Sequence, residues 1–168
     1  ERSRMLWRLL VCVCTLGVSF FAHGAPHVVV ISMDTTRADA LSCYGLPISV
    51  RRALPQVTPH LDQMAAEGTR FAHFYTHAPT TLNSHTTMFT GLDAHEHGVP
   101  SNGYPYTGSH LTLAERFKQE GYQTIAVVGA SALEHSMGLN RGFDVYDDRM
   151  SLRHRKSYQD DASGVVRR

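Results

Sequence analysis

The chain has 168 residues and a formal net charge of +1. That length supports one domain with a real core and is short for two. The charges form no basic stripe, so composition argues against nucleic acid as a partner.

Arg2, Arg4 and Arg8 flank Met5, and an apolar run follows from Leu9 to Ala22. The run is too short for a comfortable bilayer span and has the size of a signal-peptide core. Ala22, Gly24 and Ala25 offer a cleavage point. Residues 1–25 are therefore expected to be a signal peptide, which places the protein in the periplasm or outside the cell. Left uncleaved, the same segment is a membrane anchor. Cys12 and Cys14 fall inside it, which leaves Cys43 as the single thiol of the mature chain, expected as a buried or half-buried small residue.

His27 to Met33 is a continuous β-branched run and reads as a strand buried on both faces, as at the centre of a parallel sheet. Asp34 follows at its carboxyl end, where open α/β sheets bind ligands. It is either a ligand for a hard cation or the cap of the next turn. Arg37 to Leu41 reads as one or two helical turns stopped before Gly45, and residues 46–57 as a loop. Thr58 and Pro59 open a helix with an apolar stripe of Leu61, Met64 and Ala65, closed by Gly68. Residues 69–76 read as a short strand around Phe71, Phe74 and Tyr75.

Thr81-Leu82-Asn83-Ser84-His85-Thr86-Thr87-Met88-Phe89-Thr90-Gly91 is the stretch on which function turns. Residues 86–89 read as one or two helical turns ended by Gly91, with the Thr81 hydroxyl just ahead. Free N–H groups and the positive end of the helix dipole favour a bound oxyanion there, such as sulfate or phosphate. The run Asp93 to Val99 holds several potential ligands, but His95 and His97 do not share a helix face. It reads as a surface loop with one structural histidine, and residues 101–109 continue as loop.

Thr112 to Glu115 is a capping box. The helix it opens is expected to run to about Glu120, bury Leu113 and Phe117, and stop at Gly121. Tyr122 to Val128 reads as a second apolar strand, turned by Gly129 to Ser131, and residues 142–146 as a further short strand. Strand–helix–strand alternation argues an α/β fold with a mainly parallel sheet. The tail from Asp147 to Arg168 is highly charged with few apolar anchors.

Four blocks in order resemble the N-terminal part of the sulfatase family, within the alkaline-phosphatase superfamily. They are His27 to Gly45, Thr58 to Phe71, Ala78 to Val99, and Thr112 to Thr124 with Arg141 to Asp144. The resemblance implies an alkaline-phosphatase-like α/β sheet with helices on both faces, here its N-terminal portion over residues 26–148, with a charged tail at 149–168. It implies a divalent metal, usually calcium, with Asp34 and Thr35 at the metal positions. It implies Thr81 at the nucleophile position, His85 as a catalytic partner and Ser84 against the substrate. The substrate class is a small-molecule or glycan sulfate ester, or a phosphate ester in superfamily relatives that use a threonine nucleophile.

The chain also departs from the family pattern. Thr81 stands where a Cys or Ser is converted to formylglycine, and Thr cannot be converted. Asn83 and His85 replace the signature Pro and Arg, and Thr35 replaces a second acidic ligand. Gly129 to Ser131 stands where a Lys is expected, and the later Asp-His or Asp-Asn motif has no counterpart. Three readings follow: a sulfate ester hydrolase, a phosphoester hydrolase or transferase, and a non-catalytic sulfatase-like module. The 168-residue chain by itself is expected to be inactive, because Asp34 has only distant acidic partners such as Asp39 for a hard cation. It is also expected to be poorly soluble or partly disordered after about Asp148, since half a parallel sheet exposes an edge and apolar surface.

Overall fold

The computed structural model describes residues 25–45 and 57–149. The expected signal peptide up to Gly24, most of the 46–57 loop and the tail from Met150 lie outside the described residues. The chain divides into two compact units, Glu1–Ile31 and Ser32–Arg168.

In the first unit, residues 25–31 are irregular and exposed, with Val29 at 79% of its full accessibility. The expected strand over His27 to Met33 is therefore not formed. A strand exists only when its N–H and C=O groups find a ladder partner, and none pairs with this run among the described residues.

The second unit begins with two tight 3-10 turns, Ala38–Ala40 and Ser42–Tyr44, in place of the single helical stretch expected from Arg37. Side chains explain the break. The Ser42 N–H donates to Thr58 Oγ1 at 2.9 Å, and Ser42 Oγ accepts the Val57 N–H at 2.8 Å. These bonds tie the turns to the start of helix α1, Pro59–Glu67. Pro59 fills the first helical position as expected, and the Gly68 N–H closes the helix on the Met64 carbonyl. The predicted apolar stripe is covered only in part: no residue of α1 is fully buried, Leu61 and Ala65 are half-buried, and Met64 is 62% exposed. Residues 69–76 form no strand. Phe71 and Phe74 instead pack on each other, ring centroids 5.8 Å apart, while staying exposed.

Helices α2 (Thr81–Thr90), α3 (Ala94–His97) and α4 (Leu113–Gln119) follow. The capping box of α4 is present as read: Thr112 Oγ1 accepts the Glu115 N–H at 3.2 Å, and Glu115 Oε2 accepts the Thr112 N–H at 2.8 Å. Leu113 and Phe117 are only half-buried; Ala114 is the buried residue of this helix. Strands β1 (Ile125–Val127) and β2 (Val145–Asp147) pair in parallel, Ile125 opposite Val145 and Val127 opposite Asp147. The connection between them includes 3-10 turns at Ser131–Leu133 and His135–Met137. A parallel pair needs such a crossover, and this sheet gives the unit its α/β character.

The core lies around α2 rather than on the sheet. Leu82, Val99, Tyr106 and Leu139 form its buried cluster, with Leu133 and Met137 packed against them. Ile125, Val127 and Val145 remain exposed. Phe143 joins β2 to α2 through an edge-to-face contact with Phe89, centroids 5.9 Å apart.

Candidate functional site

Helix α2 starts earlier than the sequence suggested, so Thr81 is its first residue rather than a residue ahead of it. The reason lies in supports from outside the helix. The Leu82 N–H donates to Asn102 Oδ1 at 2.8 Å, which satisfies a first-turn donor that has no partner within the helix. Thr86 and Thr90 return their hydroxyl protons to the Leu82 and Thr86 carbonyls, each at 2.7 Å. Threonines in that role sit inside a helix without competing for its N–H groups. Gly91 ends α2 as expected, in the left-handed region, with its N–H on the Thr87 carbonyl.

The first turn gathers most of the candidate residues. Thr81 Oγ1 donates to Asp34 Oδ2 at 3.0 Å, across 47 residues of chain. Ser84 Oγ donates to the Thr81 carbonyl at 3.1 Å. His85, only 6% exposed, places Nδ1 2.7 Å from the same carbonyl and Nε2 3.0 Å from Ser32 Oγ. A carbonyl can only accept, so Nδ1 carries the proton. In the neutral ring Nε2 is then the acceptor for the Ser32 hydroxyl. Asp34, Thr81, Ser84 and His85 are thus brought together. Thr35 adjoins Asp34 with φ of 57°, the one non-glycine residue at positive φ among the described residues. A β-branched residue there is strained, and such strain clusters at functional sites.

Asn83, which replaces the signature proline, turns elsewhere. It is buried, and its Nδ2 donates to the Pro100 carbonyl at 3.1 Å. Ser32 and Asn102 are the residues that sequence reasoning missed. Ser32 was hidden inside an apolar run, and Asn102 in a stretch read only as loop.

The Asp34 carboxylate and the Thr81 hydroxyl 3.0 Å from it are both oxygen donors. That matches a hard divalent cation in kind, though a calcium ion takes about 6–8 oxygens and this part of the chain offers fewer. Asp39 is engaged elsewhere, with both carboxylate oxygens accepting from Arg37 at 2.8 and 2.6 Å.

The run from Asp93 is a short helix rather than a loop. Ligand atoms of Asp93, His95 and Glu96 lie within 4.8 Å of one another, all exposed. Helix initiation accounts for the two carboxylates, since Asp93 and Glu96 form the capping box of α3. His97 is the structural histidine that was expected. It is buried, accepts the Val99 N–H at Nδ1 (3.1 Å) and faces Thr87 Oγ1 with Nε2 (3.1 Å). Burial holds its pKa below the ordinary histidine value, so the ring is neutral. Cys43 is free and half-buried.

Comparison with known proteins identifies the family. The sulfatase family profile matches residues 26–164. The N-acetylglucosamine-6-O-sulfatase of Bacteroides thetaiotaomicron is 30% identical over 119 residues, 71% of this chain and 19% of that protein. The N-acetylgalactosamine-6-sulfatase of Canis lupus familiaris is 35% identical over 163 residues, 82% of this chain and 28% of that protein. Arylsulfatase A of Homo sapiens is 33% identical over 105 residues, 59% of this chain and 19% of that protein. The chain thus spans 19–28% of the length of these curated relatives. No solved structure gives a significant match. The parallel β1–β2 pair with its flanking helices is part of the α/β, alkaline-phosphatase-like fold that the profile match implies, and by that match the chain belongs to the sulfatase family.

Proposed function

We propose that this chain carries the nucleophile end of an exported sulfate ester hydrolase, with Thr81 as nucleophile. One observation supports this above the others: the Thr81 hydroxyl stands at the first position of α2 and is hydrogen-bonded to Asp34 Oδ2 at 3.0 Å. The hydroxyl, a carboxylate that can take its proton, and the positive end of a helix dipole meet at one point. In the proposed step, Thr81 Oγ1 bonds to sulfur as the ester S–O bond breaks. The Thr81 proton passes to Asp34, and the alkoxide leaves and is protonated by solvent. Water then resolves the sulfo-threonine and releases sulfate.

Ser84 and His85 both bond the Thr81 carbonyl and so hold the first turn of α2 in place. Ser84 contributes a half-buried hydroxyl for the substrate side. A divalent cation such as calcium, held by Asp34 with Thr35 beside it, would lower the hydroxyl pKa and offset the charge of the transferring group. Export rests on the signal-like pattern of residues 1–25, with residues 26–148 as the sulfatase-like domain and 149–168 as a charged tail. No helix among the described residues is long and apolar enough to cross a membrane.

The test is turnover by the complete gene product, with calcium, of matched aryl sulfate and aryl phosphate esters. Sulfate turnover that is lost in Thr81→Ala supports the reading. A preference for phosphate favours a phosphoester hydrolase or transferase instead, the second reading, for which the unmodifiable Thr81 is the argument. No turnover of either ester favours a non-catalytic module.

A further inference from the structure

Ser32 has no part in the proposed sulfate chemistry, yet its surroundings have the form of an activated hydroxyl. Its Oγ lies 3.0 Å from His85 Nε2, across 53 residues of chain. The opposite ring nitrogen, Nδ1, lies 2.7 Å from the Thr81 carbonyl. In the neutral ring that carbonyl fixes the proton on Nδ1 and leaves the Nε2 lone pair toward Ser32. A nucleophile, a base within hydrogen-bond reach and a third group orienting the base make up the logic of activated serines. The burial pattern fits as well. The imidazole is shielded, at 6% exposure, while Ser32 itself is exposed to solvent.

We infer that Ser32 and His85 form a second nucleophilic site, one that accepts an acyl ester or its phosphonyl equivalent. The class follows from the pairing itself, since a serine hydroxyl with an imidazole base in hydrogen-bond reach is the arrangement that attacks an acyl carbon. In the step, Ser32 Oγ bonds to the acyl carbon while its proton moves to His85 Nε2. The C–O bond of the ester then breaks, and the imidazolium returns that proton to the leaving alcohol. Water removes the acyl group from Ser32 by the same route. The Thr81 side chain is not needed, because only its backbone carbonyl orients the ring.

The experiment is labelling of the complete gene product by an alkyl fluorophosphonate, with the modified peptide identified by mass spectrometry. In that reaction Ser32 Oγ bonds to phosphorus as P–F breaks, and the Ser32 proton departs through His85. Ser32 should label at least about 100-fold faster than any other hydroxyl, the usual gain from a positioned base. Ser32→Ala should abolish the label, His85→Gln should slow it by a similar factor, and Thr81→Ala should retain it. A label on Thr81, no label on Ser32, or loss of the label in Thr81→Ala overturns the inference. So does Ser32 labelling at an equal rate in His85→Gln. Should His85→Gln fail to fold, labelling of the native protein is compared with labelling in urea, where no dyad exists; equal rates overturn the inference. None of these readouts uses sulfate turnover, so failure here and failure of the Thr81 reading are distinguishable.

Discussion

Gly142→Ala is the substitution whose cost the structure specifies most fully. Gly142 has φ of 86°, a conformation that costs a residue with a Cβ about 1–2 kcal/mol. Space makes it worse. A Cβ added there would lie 2.3 Å from the Glu115 nitrogen and 2.7 Å from the Ala114 carbonyl carbon. Both are backbone atoms at the start of α4, so neither can rotate away, and overpacking of this kind costs about 1–3 kcal/mol more. Gly121 is the internal control: its φ is 83°, but a Cβ there meets nothing within 4 Å. Gly121→Ala should therefore cost about 1–2 kcal/mol and Gly142→Ala about 2–5 kcal/mol. Urea titration followed by circular dichroism measures both. The larger loss should also reach α2, because the next residue, Phe143, packs on Phe89. Equal losses in the two variants would refute the argument that backbone contact at α4 is what excludes a side chain from position 142.

Thr112→Ala should cost about 1–2 kcal/mol in the same titration, because Thr112 Oγ1 both accepts the Glu115 N–H and donates to the Arg141 carbonyl at 3.0 Å. Glu115 is buried enough to resist ionising, yet the Thr112 N–H and Arg141 outweigh that and lower its pKa; Arg141→Ala should return it toward the ordinary value, as carboxyl titration by NMR would show. His97 has its pKa depressed by burial, so the unfolded chain takes up the proton first as pH falls. Its contribution is whole above about 6.5 and is lost below that, and the melting temperature should drop on acidification from about pH 7.5 to 5.5 with a slope that His97→Gln flattens. Asp144 is held at about 2, against 3.8 for the free side chain, by Lys118 first and then by the Thr124 N–H and hydroxyl. That contribution is present above about 3.8 and is lost as pH falls through about 2, and Lys118→Ala should move the acid unfolding midpoint upward.

Local signals were legible in the sequence, and long-range ones were not. The capping box at Thr112, proline at the first position of α1, and the Gly91 stop of α2 are contests settled within four residues, and each stands as read. The run from His27 failed for the opposite reason. Its β-branched residues favour a strand, but propensity cannot supply the partner whose N–H and C=O groups make the ladder. Phe71, Phe74 and Tyr75 failed in the same way, as apolar residues with no strand to pair with. The stripe of α1 was correctly periodic, yet periodicity says which face is apolar and not whether anything covers it.

The candidate site separates along the same line. Thr81 and Asp34 were readable as candidates because each follows a readable local element, a turn into a helix and the end of an apolar run. Their hydrogen bond spans 47 residues, and no local pattern encodes it. His85 was legible only as a replacement for an arginine. Its chemistry lies in two contacts, to the Thr81 carbonyl and the Ser32 hydroxyl, and a ring with different neighbours would have the other tautomer. Arginine at that position would be a permanent cation. His85 has Nδ1 on the Thr81 carbonyl and Nε2 on the Ser32 hydroxyl, so it presents no donor fork of the arginine kind. Under the proposed reading, compensation for the charge of a sulfuryl group then falls on the α2 dipole and on a cation at Asp34. On that reasoning turnover should depend more steeply on the cation here than in a relative that keeps the arginine, and His85→Arg should relax the dependence. A calcium titration of the two proteins that gives superimposable curves would refute it.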